Sequence, residues 1–244
     1  MRHMNRIPLT TGNMILKLAI LILMSCGFLS CRDRAAGPEP ESDPFVIENL
    51  GVVFGPWNRE TGRAGDFLFR DIGSIPKIVS EFGTEVVAHD GSTKRLPTID
   101  FVVREDAPVL AAAEGRVDRI FYQEGARDWE IIVRSSNDPD FEVIYDHLVG
   151  LRVETGDRIA PGDTLGHPRP LFGGLGVFEL MVTNRATGLA YCPFCFFDPE
   201  RIEEAREQLL RLIHDWETFR DDITIHDESA YVYAGCLMES MMSY

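Results

Sequence analysis

The stretch from 95 to 198 constrains the fold most. DFVVR (100–104), PVLAAA (108–113), GRVDRIFYQ (115–123), WEIIVRS (129–135), FEVIYDHL (141–148) and VFELMV (177–182) are short runs rich in β-branched or aromatic residues. Turn-forming stretches such as SSNDPD (135–140) and ETGD (154–157) separate them. Side chains of this kind suit a pleated, half-buried surface. Many such runs at close spacing predict a mainly β domain, a sandwich or an open barrel.

The period then changes. Asp198, Pro199 and Glu200 place a cap residue, a first-turn proline and an acid at the start of a predicted helix. Ile202, Ala205, Leu209, Leu212, Ile213 and Trp216 follow at helical spacing, so their stripe is expected to pack on the β-domain. The tail 221–244 contains AYVYAGCLM, too apolar to stay in water, and is expected to fold back. Upstream, 45–94 is an N-terminal extension with strand-like pieces (FVIENLGVVF) to which the sequence assigns no role. Residues 32–44, rich in Pro, Glu, Asp, Ala and Gly, read as a flexible linker.

The first 31 residues have a different character. Arg2, Arg6 and Lys17 supply positive charge, LAILILM (18–24) is an apolar run too short for a comfortable membrane span, and cysteines follow. This pattern predicts an exported chain with a lipoprotein-type signal. Cys31 is the expected acyl acceptor, with Cys26 as the alternative and a plain signal peptide as the bland one. A lipid on that cysteine anchors a protein to a membrane surface without a spanning helix. The net charge of −15 makes nucleic acid an unsuitable partner.

Five blocks occur in order within 95–198. TIDFVVREDAPVLAAAEGRV (98–117) is followed by YDHL (145–148), LRVETGDRIAPGDTLGH (151–167), VFELMV (177–182) and FFDP (196–199). Together they resemble the lysostaphin/LytM-type zinc metallopeptidases, peptidase family M23. The resemblance implies a LytM-like antiparallel β-sandwich or open barrel, built on the duplicated hybrid motif. It also implies a zinc site in which a His-x-x-x-Asp pair and the second His of His-x-His hold the ion. Two further histidines assist the attacking water.

Carried onto this chain, the ligand positions are Leu96, Asp100 and Val177, and the helper positions are His147 and Leu175. Zinc needs lone-pair donors in a tetrahedral frame, and two of these three side chains are hydrocarbon. The expectation is a degenerate domain with no cofactor. Asp100, His147 and Glu179 are catalytic remnants, and a cleft lined by Leu96, Asp100, His147, His167, Leu175, Val177 and Glu179 serves for binding. Asp100 and His147 are expected to survive as a couple on facing strands. By resemblance, the partner is peptidoglycan or a cell-wall hydrolase.

Two alternatives stand beside it. One is an active zinc endopeptidase of the cell wall that recruits His167 or His89 as substitute ligands; the other is a purely structural envelope lipoprotein. A carrier domain is excluded, because Lys17, Lys77 and Lys94 all lie outside 95–198. For an exported chain, the cysteines at 192, 195 and 236 predict a disulfide. Cys192–Cys236 is preferred, and Cys195 is the alternative partner.

Overall fold

The computed structural model describes residues 43–71, 73, 75–87 and 91–243. The signal segment with Cys26 and Cys31, most of the linker, and His89 lie outside the described residues.

The central element is an antiparallel sheet of eleven strands. In chain order these are β1 (Val79–Ser80), β2 (Ile99–Arg104), β3 (Val109–Leu110), β4 (Gly115–Gln123), β5 (Asp128–Ser135), β6 (Phe141–Val149), β7 (Arg158–Ile159), β8 (Thr164–Pro170), β9 (Leu175–Asn184), β10 (Leu189–Tyr191) and β11 (Ser240–Met242). The main path runs β7-β4-β5-β6-β9-β10-β11. β2 pairs with the other edge of β9 along its N-terminal half, β8 bridges β6 and β9, and β1 and β3 attach to β2 and β8. The sheet stays open. The fold is thus mainly β, as the sequence predicts.

Period-two alternation sets the two faces. On β2, Ile99, Phe101 and Val103 are buried while Asp100, Val102 and Arg104 face the other way. β9 answers in register: Phe178 lies opposite Phe101 and stacks on it at 5.4 Å, while Glu179 lies opposite Asp100 and Val177 opposite Val102. One face therefore builds the core, and the other lines the cleft. A one-residue slip would exchange them.

The extension is packed into this domain. Ile47, Leu50 and Val52 are core residues. The apolar piece FVIENLGVVF forms no strand; it runs extended with one isolated bridge, Ile47 to Phe197, and with Glu48 N–H bonded to Ala112 O. Its apolar residues fill the core rather than extend the sheet. A tight hairpin, Arg63–Ala64 with Phe67–Leu68, turns at Gly65, where φ is +64° and a Cβ would sit 2.2 Å from Val53 O. Only glycine fits there.

Helix α1 spans Ile202–Arg220. It begins later than Asp198 and Pro199 suggest, because Asp198 spends its carbonyl and carboxylate on a turn through Glu200–Ile202. Leu209, Leu212, Ile213 and Trp216 bury the predicted stripe. Trp216 packs among Phe69 and Phe219, and its indole N–H donates to Pro76 O at 3.0 Å. The tail folds back as expected: β11 pairs with β10, Phe82 N–H binds Gly235 O, and a disulfide joins Cys192 to Cys236. Cys195 is a free thiol.

Candidate functional site

The cleft is organised around a break in β6. Pairing with β5 shifts register between Tyr145 and Leu148, and His147, inside that shift, has φ of +62°. This conformation costs a residue with a Cβ about 1–2 kcal/mol, so neighbouring contacts must hold it. Asp146 Oδ1 accepts the His147 backbone N–H at 2.6 Å and the Gln123 amide at 2.8 Å. The bulge aims the imidazole across the sheet instead of along it.

Three carboxylates surround that ring. Asp128 Oδ2 lies 2.7 Å from Nδ1, Glu179 Oε1 lies 3.3 Å from Nε2, and Asp146 Oδ1 lies 3.8 Å from Nδ1. Burial disfavours charge on the ring, but the bond to Glu179, the charges of Asp146 and Glu179, and the bond to Asp128 outweigh it. The imidazole pKa is raised to about 9. His147 is therefore an imidazolium at neutral pH, with both nitrogens carrying protons. Behind it, Arg169 Nε stands 3.0 Å from Asp128 Oδ2, and Asp128 is fully buried. The fully buried carboxylate thus meets two cations, which is how a buried charge becomes tolerable.

Asp100 is outside this cage. No hydrogen bond or ion pair among the described residues joins it to His147, so the expected couple is not formed; Glu179 is the residue His147 meets. Asp100 faces Glu179 across the β2–β9 pairing. Burial and the Glu179 charge raise its pKa to about 7, against the Thr98 hydroxyl bond and the charges of His147 and Lys94. The two acids resist ionising together.

The remaining cleft positions are apolar or structural. Val177 is half-buried beside Val102, Leu175 is buried, and Leu96 is half-buried, with its backbone tied to Thr84 O and Gly83 N–H. His167 lies on β8 opposite Val149, and its Nδ1 is 3.0 Å from Ala107 O, a strand-to-loop tie.

Zinc does not fit the inherited positions: Leu96 and Val177 have no lone pair, and Asp100 holds a proton near neutrality. Asp128, Asp146 and His147 have ligand atoms within 4.8 Å of one another, a spacing compatible with an ion. Their chemistry opposes one. Asp128 Oδ2 already faces the imidazole at 2.7 Å and the Arg169 guanidinium at 3.0 Å, and that guanidinium repels a cation. What the site offers is a cluster of carboxylates near the paired Val102 and Val177.

Asp128, Asp146, Gln123 and Arg169 were not foreseeable from motif spacing. Asp128 precedes a strand and reads as a turn residue, and Asp146 sits inside YDHL as a strand-end acid. At the register shift Asp128 and Asp146 come to the His147 ring, Gln123 holding Asp146 and Arg169 facing Asp128.

Residues 95–169 match Peptidase family M23. An uncharacterized metalloprotease of Haemophilus influenzae is 26% identical over 95 residues, 36% of this chain and 19% of that protein. The chain thus spans about a fifth of the length of the curated relative it matches. Among solved structures, the antimicrobial peptidase lysostaphin of Staphylococcus simulans shares 18% identity over 51% of this chain and 49% of its own, with a TM-score of 0.40. A zinc-containing peptidase from Vibrio cholerae shares 17% identity over 58% and 38%, with a TM-score of 0.38. Helicobacter pylori Csd3 shares 13% over 58% and 30%, also with a TM-score of 0.38. The family likeness thus rests on residues 95–169, which are similar to peptidase family M23.

Proposed function

We propose that this protein is an exported, lipid-anchored envelope protein whose M23 domain no longer cleaves peptide. It acts as a binding or regulatory module in peptidoglycan metabolism. One observation carries the proposal: the positions that would hold zinc are Leu96 and Val177, and the one surviving ligand, Asp100, is buried against Glu179. Hydrolysis by this family's chemistry needs an activated, metal-bound water, and His147, doubly protonated in its cage, is no base to replace it. The paired Val102 and Val177 and the carboxylate cluster suit a peptide that brings a hydrophobic side chain and an amine or amide N–H. Partner identity, peptidoglycan or a wall hydrolase, follows by analogy with the family. The anchor follows from the N-terminal pattern.

The test is direct. The purified protein is expected to contain far less than one zinc per chain, to leave peptidoglycan uncut, and to co-sediment with insoluble peptidoglycan or bind a wall hydrolase. Leu96→His combined with Val177→His is expected to gain zinc binding, because it supplies the two imidazole donors that the resemblance implies for the site. Stoichiometric zinc in the unaltered protein, or cleavage abolished by a chelator, would overturn the proposal.

A further inference from the structure

Away from the cleft, three arginines stand in one row across three strands. Arg158 on β7 lies directly opposite Arg116 on β4, which lies directly opposite Arg134 on β5. Directly paired residues of an antiparallel sheet share a face, and neighbouring strands are about 4.8 Å apart. The row thus spans about 10 Å. Like charges placed directly opposite destabilise a sheet. In a chain with 39 acidic and 24 basic residues, such a row calls for a reason.

The acids nearby do not neutralise it. Asp118 and Glu142 pair with Arg134 at 3.0 and 3.7 Å. Asp118 is the extra residue of a bulge, where the register shifts between Val117 and Arg119, and it also holds Arg119 at 3.0 Å. Arg116 donates to Gly156 O at 2.8 Å, but among the described residues neither it nor Arg158 has a carboxylate partner. Both are exposed. The pattern fixes one arginine from behind and leaves two forks for solvent.

The row borders a cavity of about 460 Å³, lined by Arg116, Arg134, Arg158, Ser135, Ser136 and Glu114. Ser135 is buried, and its Oγ already accepts backbone N–H groups from Asn137 and Asp138 at 3.2 and 3.1 Å, so its hydroxyl proton is left for another acceptor. Gly115, paired with Ser135, keeps the strands close beneath the row: a Cβ there would lie 2.5 Å from Arg134 O. Arg134 is six residues along β5 from Asp128, about 20 Å from the cleft.

We propose that the Arg158–Arg116–Arg134 row is a binding site for a ligand bearing several phosphoryl groups. Guanidinium forks match oxyanions bidentately. A carboxylate is saturated by one fork, whereas phosphates in series present oxygens to successive arginines. A ligand of that kind removes the like-charge cost of the row, so binding and fold stability oppose each other here.

Calorimetric titration of the full chain at constant low ionic strength tests this, with sodium tripolyphosphate, orthophosphate and acetate as probes. Tripolyphosphate is expected to bind more tightly than orthophosphate, and acetate least. Arg116→Gln with Arg158→Gln is expected to weaken tripolyphosphate binding at least about tenfold, while Arg211→Gln on α1 leaves it unchanged. The ligand-free double variant is expected to melt no lower than the parent, which separates lost binding from lost folding. Equal affinity of parent and double variant would overturn the site. An equal loss in the Arg211 variant, or orthophosphate binding as tightly as tripolyphosphate, would do the same.

Discussion

Two regions of this molecule bury a histidine against carboxylates, and they do so for opposite purposes. At the tail, His226 Nδ1 meets Glu81 Oε1 at 2.7 Å; Lys77 Nζ binds the same carboxylate at 2.9 Å and the Tyr231 hydroxyl donates to it at 3.0 Å. The His226 side chain is 0% exposed and that of Glu81 3%. At the cleft, His147 is 18% exposed and Glu179 26%. The tail node is sealed, its acid bonded by Lys77, Thr84, His226 and Tyr231 and its pKa lowered to about 2: burial opposes ionisation, but the bonds to His226 and Lys77 and the Lys77 charge prevail. The cleft has more acids than cations and stays partly open to water. A closed network fastens one piece of chain to another, while an open, acid-rich one leaves carboxylate oxygens within reach of water.

The largest expected effect is on the tail. Cys192→Ser with Cys236→Ser opens a loop of 44 residues and is expected to lower stability by about 4 kcal/mol on the chain-entropy account. Urea unfolding measures it. The same pair changed in a chain whose tail was held only by the disulfide would release β11 altogether. Here Glu81 and α1 still grip the tail, so retained tail protection in hydrogen exchange is the second expected result. Next comes Glu81→Gln, which leaves buried cationic and polar groups without their acid. A loss of about 3 kcal/mol is expected. A loss below that of the matching cleft variant would break the contrast between sealed and open.

That cleft variant is His147→Gln. It removes the cation from Asp128, Asp146 and Glu179, but water reaches Glu179 and Arg169 still pairs with Asp128. A smaller cost is expected, about 1–2 kcal/mol, read from the same unfolding curves. Its pH dependence has a definite sign. Because the folded pKa is raised to about 9 from the ordinary imidazole value of about 6.5, the stability His147 contributes is complete below about pH 6 and fades as pH rises through 9. The difference between parent and variant should therefore shrink from pH 6 to pH 10.

The contrast also explains what could be read in advance. The strands, the helical stripe at Leu209, Leu212, Ile213 and Trp216, and the return of the tail follow from periodicity and apolarity, which local sequence records. Leu96 and Val177 at inherited ligand positions follow from motif spacing. The cage does not. Asp128 reaches His147 where β6 bulges at Tyr145–Leu148, and nothing in YDHL announces a bulge. The same limit applies to FVIENLGVVF, whose β-branched content predicts a strand, whereas the core needed an apolar filler. Tertiary demand overrides propensity there. The tail node is equally silent in sequence: Glu81 and His226 are 145 residues apart.

The smallest effect sharpens the comparison from the acid side. Asp100 carries a raised pKa of about 7, so the folded protein holds its proton where the unfolded chain has released it. For a carboxyl raised in this way, the associated stability is present below about pH 4 and is lost as pH climbs to 7. Asp100→Asn mimics the protonated acid. It should be nearly neutral at pH 4 and stabilising by at least about 1 kcal/mol at pH 8, where the parent must ionise Asp100 beside Glu179. Glu81→Gln should show no such gain at any pH, since its acid is stabilised by the fold rather than strained by it. Melting curves at the two pH values decide the point. If Asp100→Asn destabilises at pH 8, Asp100 is charged and paired after all, and the cleft is built like the tail node rather than against it.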